Sequence, residues 1–258
     1  MPELSVDAIG VAFVPPDYQR AQALDPGAEF AMQAGGVAHF SGVPMERLLV
    51  LRSELDGESD VSSLALACLG PPAEPQPLFL VRSGPERDPY VVELARIVHG
   101  AAWAGEDVGI THLDELGGTL VFDLLDWAVP AAGATVLVCD DPAYVDESQD
   151  TSRIGAVAIR LRRGPGPLRV LGCGEGSPGA VPDWSDHLFV GSRPCDSWLA
   201  LHAAVADGRV TDGQQLLLYT KGPTRAGWLS LAAVDVAGLR LAGRNPTVPK
   251  PMVGESPR

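Results

Sequence analysis

Val108-Gly109-Ile110-Thr111-His112-Leu113-Asp114-Glu115-Leu116-Gly117-Gly118-Thr119-Leu120-Val121-Phe122-Asp123-Leu124-Leu125-Asp126-Trp127-Ala128-Val129 is the stretch on which the fold turns. Val108 to Thr111 reads as a strand. It runs almost without a linker into a helix over Gly117 to Val129, whose Leu120, Val121, Phe122, Leu124, Leu125 and Trp127 leave hardly any polar face. A helix apolar nearly all round lies buried between layers. Ala134 to Cys139 follows as a continuous apolar strand of the kind covered on both faces of a mostly parallel sheet.

Working outward, strand-length apolar runs alternate with amphipathic segments, so the chain reads as α/β. Upstream, Leu48 to Arg52 and Pro77 to Val81 read as strands. Asp60 to Leu69 reads as a helix with Asp60 as its N-cap, and Tyr90 to Trp103 as another helix. Downstream, Ile154 to Leu161 and Leu168 to Cys173, split by Arg163-Gly164-Pro165-Gly166-Pro167, read as an antiparallel pair. Gly174 to Pro182, rich in Gly, Ser and Pro, is the best internal boundary. Beyond it come a strand at His187 to Val190, a helix at Asp196 to Ala206, and strands at Gln215 to Tyr219 and Trp228 to Val236. This gives an N-terminal half over 1–176, a reduced C-terminal half over 183–242 and a Pro-rich tail, expected to be disordered, over 243–258.

The bulk composition excludes several function classes. The net charge is −14, with 33 acidic against 19 basic residues, which argues against nucleic acid because phosphate binding is driven by Lys and Arg. No apolar run approaches the roughly 20 residues that span a bilayer, so no membrane role is expected. The first residues carry no basic stretch followed by an apolar one, and the expected location is the cytoplasm. Cys68, Cys139, Cys173 and Cys195 form no Cys-x-x-Cys pair, and the five histidines lack metal-ligand spacing. No metal and no cofactor is therefore expected.

The order of elements and several local motifs resemble ketosynthase III (β-ketoacyl-ACP synthase III), a member of the thiolase superfamily. Thr111-His112-Leu113-Asp114-Glu115-Leu116-Gly117-Gly118 resembles the strand-to-helix elbow that the family writes Val-Asn-Gln-Ala-Cys-Ala-Gly-Phe. Ala132-Gly133-Ala134-Thr135-Val136-Leu137-Val138-Cys139 is similar to the strand after it. Gly155-Ala156-Val157-Ala158 is similar to the family's Gly-Ala-Gly-Ala-Val turn. Ala204-Val205-Ala206-Asp207-Gly208-Arg209-Val210-Thr211-Asp212-Gly213-Gln214 resembles Ala-Val-x-x-Gly-x-Leu-x-x-Gly-Asp, and Gly222 to Trp228 looks like a degraded closing-strand motif. The resemblance spans roughly residues 8 to 240 and implies a thiolase-like layered fold with a nearly complete N-terminal half and a truncated C-terminal half.

The departures from the family bear on function. Glu115 stands where the family keeps its nucleophilic cysteine. The family's histidine has no counterpart, and its asparagine falls near Ser192. The resemblance therefore implies a chain that does not condense by the family mechanism. Glu115 has three readings: a general base for an acyl group held at the elbow, an anion filling the oxyanion region, or a cap of the buried helix. His112, three residues earlier, is either its acid/base partner or a structural residue. Asp114, Gly117, Ser192 and Cys195 are the accompanying binding candidates, with Asp114 equally able to cap. Cys195, near a predicted helix start where a thiol pKa falls, is also a candidate relocated nucleophile with His187.

Two functions follow from the resemblance. One is a non-condensing partner subunit or scaffold in a polyketide, fatty-acid or specialised-metabolite pathway. It would form a homodimer, or a heterodimer with an active ketosynthase-like subunit, and could meet acyl carrier protein or acyl-CoA. The family pairs across the edge strand of the N-terminal half, and a shortened C-terminal half should expose apolar surface for a partner. The other is an acyl-thioester hydrolase, acyltransferase or decarboxylase that uses Glu115.

Overall fold

A computed structural model describes residues 4–24, 29–51, 60–82, 93–149, 153–178, 185–223 and 225–244. In chain order the elements are β1 (Leu4–Val14), β2 (Tyr18–Arg20), α1 (Glu29–Ser41), β3 (Leu48–Leu51), α2 (Val61–Leu69), β4 (Leu78–Arg82), α3 (Glu93–Gly100) and β5 (Asp107–Ile110). A 3-10 turn (Asp114–Gly118) leads into α4 (Val121–Ala128). Then come β6 (Ala134–Asp140), β7 (Tyr144–Asp146), β8 (Ile154–Arg163), β9 (Leu168–Glu175), β10 (His187–Gly191), α5 (Asp196–Ala206), β11 (Gln215–Lys221), β12 (Ala226–Ala233) and β13 (Arg240–Arg244).

One mixed sheet of 10 strands runs β10-β11-β12-β9-β1-β8-β6-β4-β5, with β13 alongside β1. β4, β5 and β6 are mutually parallel, and β8 is antiparallel to β6. Its two faces are sorted by the strand period of two. On β6, Val136 and Val138 enter one core with Phe122 and Leu125 of α4 and Trp198 and Leu201 of α5. Leu137 and Cys139 enter the opposite core, with Val61, Ala65 and Leu66 of α2 and Leu94 and Ile97 of α3. The first core also takes in Phe189, Leu216, Leu218, Leu229 and Leu231 from β10, β11 and β12. Both ends of the sheet thus meet around α4 and α5, and the rings of Phe122 and Trp198 stack at 5.7 Å between them. A smaller core under α1 joins the three-stranded sheet β2-β3-β7.

Four expectations change. β8 and β9 do not form the expected antiparallel pair: β1 lies between them and is antiparallel to both, pairing β8 from Leu4 to Val14 and β9 at Ser5 and Val6, so β8 and β9 run in the same direction. β1 is buried at Leu4, Val6, Ala8, Ile9, Val11 and Ala12, yet Ser5, Asp7 and Gly10 interrupt its apolar pattern, and the sequence reading began only at Leu48. The helix expected from Gly117 begins at Val121 instead, because a Cβ on Gly118 would sit 2.0 Å from the Pro194 carbonyl oxygen and Trp198 Nε1 donates to Gly118 O (2.7 Å). That docked dipeptide bends as a 3-10 turn. The tail expected from Gly243 starts later, since Gly243 and Arg244 pair with Val11 and Ala12 in β13. Arg52, residues 90–92 of the expected third-helix start, residues 179–184 of the boundary segment and residues 245–258 lie outside the described residues.

The Asp60 cap is as read: its Oδ2 accepts from Ser63 N at 2.9 Å. At the far end of α4, Arg163 Nε donates to Val129 O (3.0 Å) and Nη2 to Asp126 O, covering carbonyls that the last helical turn leaves open. No helix among the described residues is long and apolar enough to cross a membrane.

Candidate functional site

The elbow is built by three elements. β4 supplies Val81, against which Gly117 packs, and the segment before α5 supplies Pro194, against which Gly118 packs. The turn between β11 and β12 supplies Gly222. Leu116, wholly buried, anchors the turn from below. Two residues before and within it, His112 (φ 62°) and Asp114 (φ 49°), adopt the left-handed region that side chains other than glycine rarely enter.

Glu115 is half-buried, and its side chain lies over Gly222. A Cβ on Gly222 would stand 2.2 Å from Glu115 Cδ and 2.5 Å from Oε1, so a larger residue there would push the Glu115 carboxylate aside. Glu115 Oε2 is buried and accepts no hydrogen bond. The Gly222 N–H beside it donates to Arg225 O at 2.9 Å, and Pro223 has no N–H to offer. Arg225 Nε meets Glu175 Oε1 at 2.8 Å, and its Nη1 lies 4.0 Å from Asp114 Oδ2. The hydrogen bond from Arg225 holds the Glu175 carboxyl below its ordinary range.

The capping reading fails on geometry. The N-cap position of α4 is Leu120, that of the 3-10 turn is Leu113, and neither end has a side-chain cap. Glu115 and Asp114 sit in the first turn of a five-residue 3-10 segment and not at the start of the buried α-helix. Nor does His112 pair with Glu115: it is exposed, with Nδ1 at 2.8 Å from Thr111 Oγ1.

Ser192 and Cys195 belong to the support behind the elbow. Ser192 N and Arg193 N both donate to Asp196 Oδ2 (3.1 Å each), and Ser192 Oγ is 3.4 Å from the same oxygen. Cys195 is fully buried, its Sγ facing Val138 O at 3.4 Å. Burial pushes that thiol well above its ordinary value, with Asp140 adding to the effect, the reverse of the fall expected near a helix start. His187 is occupied elsewhere, 3.1 Å from Gln214 Oε1 and stacked on Phe189. Cys195 is a packing residue.

Beside this support lies a group of ion pairs, two of them largely buried and the third, at Arg153, reaching the surface. Arg193 Nε meets Asp140 Oδ2 at 2.8 Å, Arg82 Nη2 meets Asp141 Oδ1 at 2.8 Å, and Arg153 Nη2 meets Asp196 Oδ1 at 2.8 Å. Burial pushes the Asp140 carboxyl up to about 7 even against the Arg193 guanidinium. Among the described residues, no cluster of His, Cys, Asp and Glu side chains could hold a metal ion.

No protein-family model matches the chain, and no curated protein is similar to it at a significant level. Solved structures are. ChlB3, an acyltransferase, superposes with a TM-score of 0.60 at 14% identity, over 92% of this chain and 99% of that one. OleA from Xanthomonas campestris gives 0.59 at 10% identity, over 89% and 98%. The 3-oxoacyl-[acyl-carrier-protein] synthase III of Aquifex aeolicus VF5 gives 0.57 at 11% identity, over 89% and 99%. The fold is thiolase-like. In this thiolase-like frame the residues that sequence reasoning missed are Gly222, Arg225, Glu175 and Pro194. Gly222 had a signal in the degraded closing-strand motif; the Arg225–Glu175 pair, 50 positions apart in the chain, had none.

Proposed function

We propose that this chain is a non-condensing partner subunit or scaffold of ketosynthase III type, working beside an active ketosynthase-like subunit in a polyketide, fatty-acid or specialised-metabolite pathway. The observation that carries this reading is the seat of Glu115 on Gly222. The carboxylate lies against Gly222, whose own N–H donates to Arg225 O. Among the described residues, no cysteine, histidine or asparagine stands with it. On the partner side, the C-terminal half ends the sheet, among the described residues, in β10, a different edge from the N-terminal edge strand across which the family pairs. On β10, Phe189 points into the core with α5, while Leu188 and Val190, on the reverse face, are 44% and 56% exposed. Apolar side chains alternating along an open edge strand suit a protein partner.

The test is size-exclusion light scattering of the chain alone and mixed with a ketosynthase of its pathway. A stable homodimer or hetero-complex, lost in the Leu188→Asp/Val190→Asp variant, is expected. A monomer that ignores every ketosynthase offered contradicts the reading.

One observation favours the enzyme alternative, an acyl-thioester hydrolase, acyltransferase or decarboxylase. Glu115 Oε2 is buried without a partner, and the flanking left-handed residues His112 and Asp114 are of the kind that cluster at reactive sites.

A further inference from the structure

The two halves of the 10-stranded sheet repeat one strand pattern. Outward from the neighbouring strands β1 and β9, the N-terminal half runs β1-β8-β6-β4-β5 and the C-terminal half β9-β12-β11-β10. In each half the second strand is antiparallel to the first, the third antiparallel to the second, and the fourth parallel to the third. β10 is thus the counterpart of β4, and the residues agree: Leu78-Phe79-Leu80 in one, Leu188-Phe189-Val190 in the other. Phe79 and Phe189 both enter the core that holds α4 and α5. The next position outward differs. β5 lies parallel to β4 on its outer side, and Leu78 and Leu80, 0% and 3% exposed, share a core with Leu94 and Ile97 of α3. Leu188 and Val190, at the equivalent places, stand largely bare.

Chain order gives the reason. α3, β5, the 3-10 turn and α4 separate β4 from β6, whereas α5 alone separates β10 from β11. α5 is the counterpart of α4, and the two helices meet where Trp198 stacks on Phe122. α3 and β5 have no counterpart between β10 and β11. β10 therefore has the setting of an interior strand but, among the described residues, no outer neighbour. The unpaired N–H and C=O groups along such an edge are a template for a further strand, and burying the apolar side chains beside them adds to the pairing. We propose that β10 accepts an extended segment of a partner protein, paired parallel to it as β5 is to β4, with apolar side chains of the donor covering Leu188 and Val190. The inference rests on the partner-subunit reading for the source of that segment, and it adds the mode of attachment: main-chain pairing with apolar cover.

The probe is a synthetic peptide of residues 93–112 of this chain, which carries α3 and β5, the unit that fills the equivalent place beside β4. Labelled with fluorescein and titrated into the full chain, it should bind saturably and slow amide exchange at every second residue of His187–Gly191 by about tenfold or more. A peptide with Val108→Pro, which cannot pair as a strand and leaves the protein itself untouched, should bind about tenfold more weakly. Leu188→Asp/Val190→Asp in the chain should weaken the native peptide by about the same factor. The proposal is overturned if the peptide does not saturate, if the proline peptide binds equally well, or if the slowed amides lie in Leu78–Arg82, where the peptide would have displaced the chain's own β5. A chain that takes up the peptide at β10 but ignores every ketosynthase offered keeps the strand acceptor and loses the partner-subunit reading, so the two fail separately.

Discussion

Asp140 and the turn that carries Glu115 meet adjacent residues of one supporting segment, Arg193 and Pro194, and the two carboxylates differ in how their oxygens are used. Asp140 is met by a guanidinium at 2.8 Å, within a group of ion pairs that joins β4, β6, β8 and α5. Glu115 rests on Gly222 with Oε2 buried and unbonded. A buried carboxylate that is matched holds elements together. One that is unmatched is held in place by its surroundings, and here by a turn containing two left-handed residues. The first is structural by its contacts; the second is where a function can reside.

The comparison breaks most severely at the matched side. Arg82→Ala leaves Asp141, whose side chain is 1% exposed, without its guanidinium, and a loss of about 3 to 5 kcal/mol is expected by urea denaturation. The same region sets a pH dependence. Asp140 has an ordinary value of 3.8 and about 7 in the fold, so between those values the folded chain holds a proton that the unfolded chain has released. Stability from this group therefore falls as pH rises from about 4 to about 7 and is flat above. Asp140→Asn should flatten that slope in thermal melts. Asp60 acts in the opposite sense: burial pushes its carboxyl up, but Arg96 and the Ser63 N–H together hold it below 3.8, so its contribution is lost as pH drops through that region.

The unmatched side predicts smaller effects. Gly222→Ala displaces the Glu115 side chain and should cost about 1 kcal/mol, most of it recovered in Glu115→Ala/Gly222→Ala. A double-mutant cycle with no coupling would mean that the two do not touch. Asp60→Ala, which removes the α2 cap, should cost about 1 kcal/mol. Glu115→Gln should be smallest, within about 0.5 kcal/mol of the native chain, since it removes a charge that forms no hydrogen bond at Oε2.

The α/β class, the helices around Leu66 and Leu201 and the strand Ala134 to Cys139 were legible because their apolar periods are clean. β1 was not, because Asp7 and Gly10 break its pattern while the two cores, with α2 on one side and α5 on the other, bury both of its faces. The elbow was placed correctly, but its local form was not. Gly117 and Gly118 read as a helix start, yet their close packing under Pro194, some 76 residues later in sequence, makes a 3-10 turn. His112 and Cys195 looked reactive from their neighbours along the chain. Their surroundings in space, solvent with Thr111 for one and the carbonyls of Val138 and Gly155 for the other, come from elements that sequence spacing does not reveal.

Thioester consumption by the purified chain alone, compared between the native protein and Glu115→Gln, tests the closed elbow most directly. If the carboxylate only fills the elbow, neither protein consumes acyl-CoA or acyl-carrier thioesters above the uncatalysed rate. Turnover by the native chain that Glu115→Gln abolishes would contradict the partner-subunit account and make Glu115 a catalytic residue.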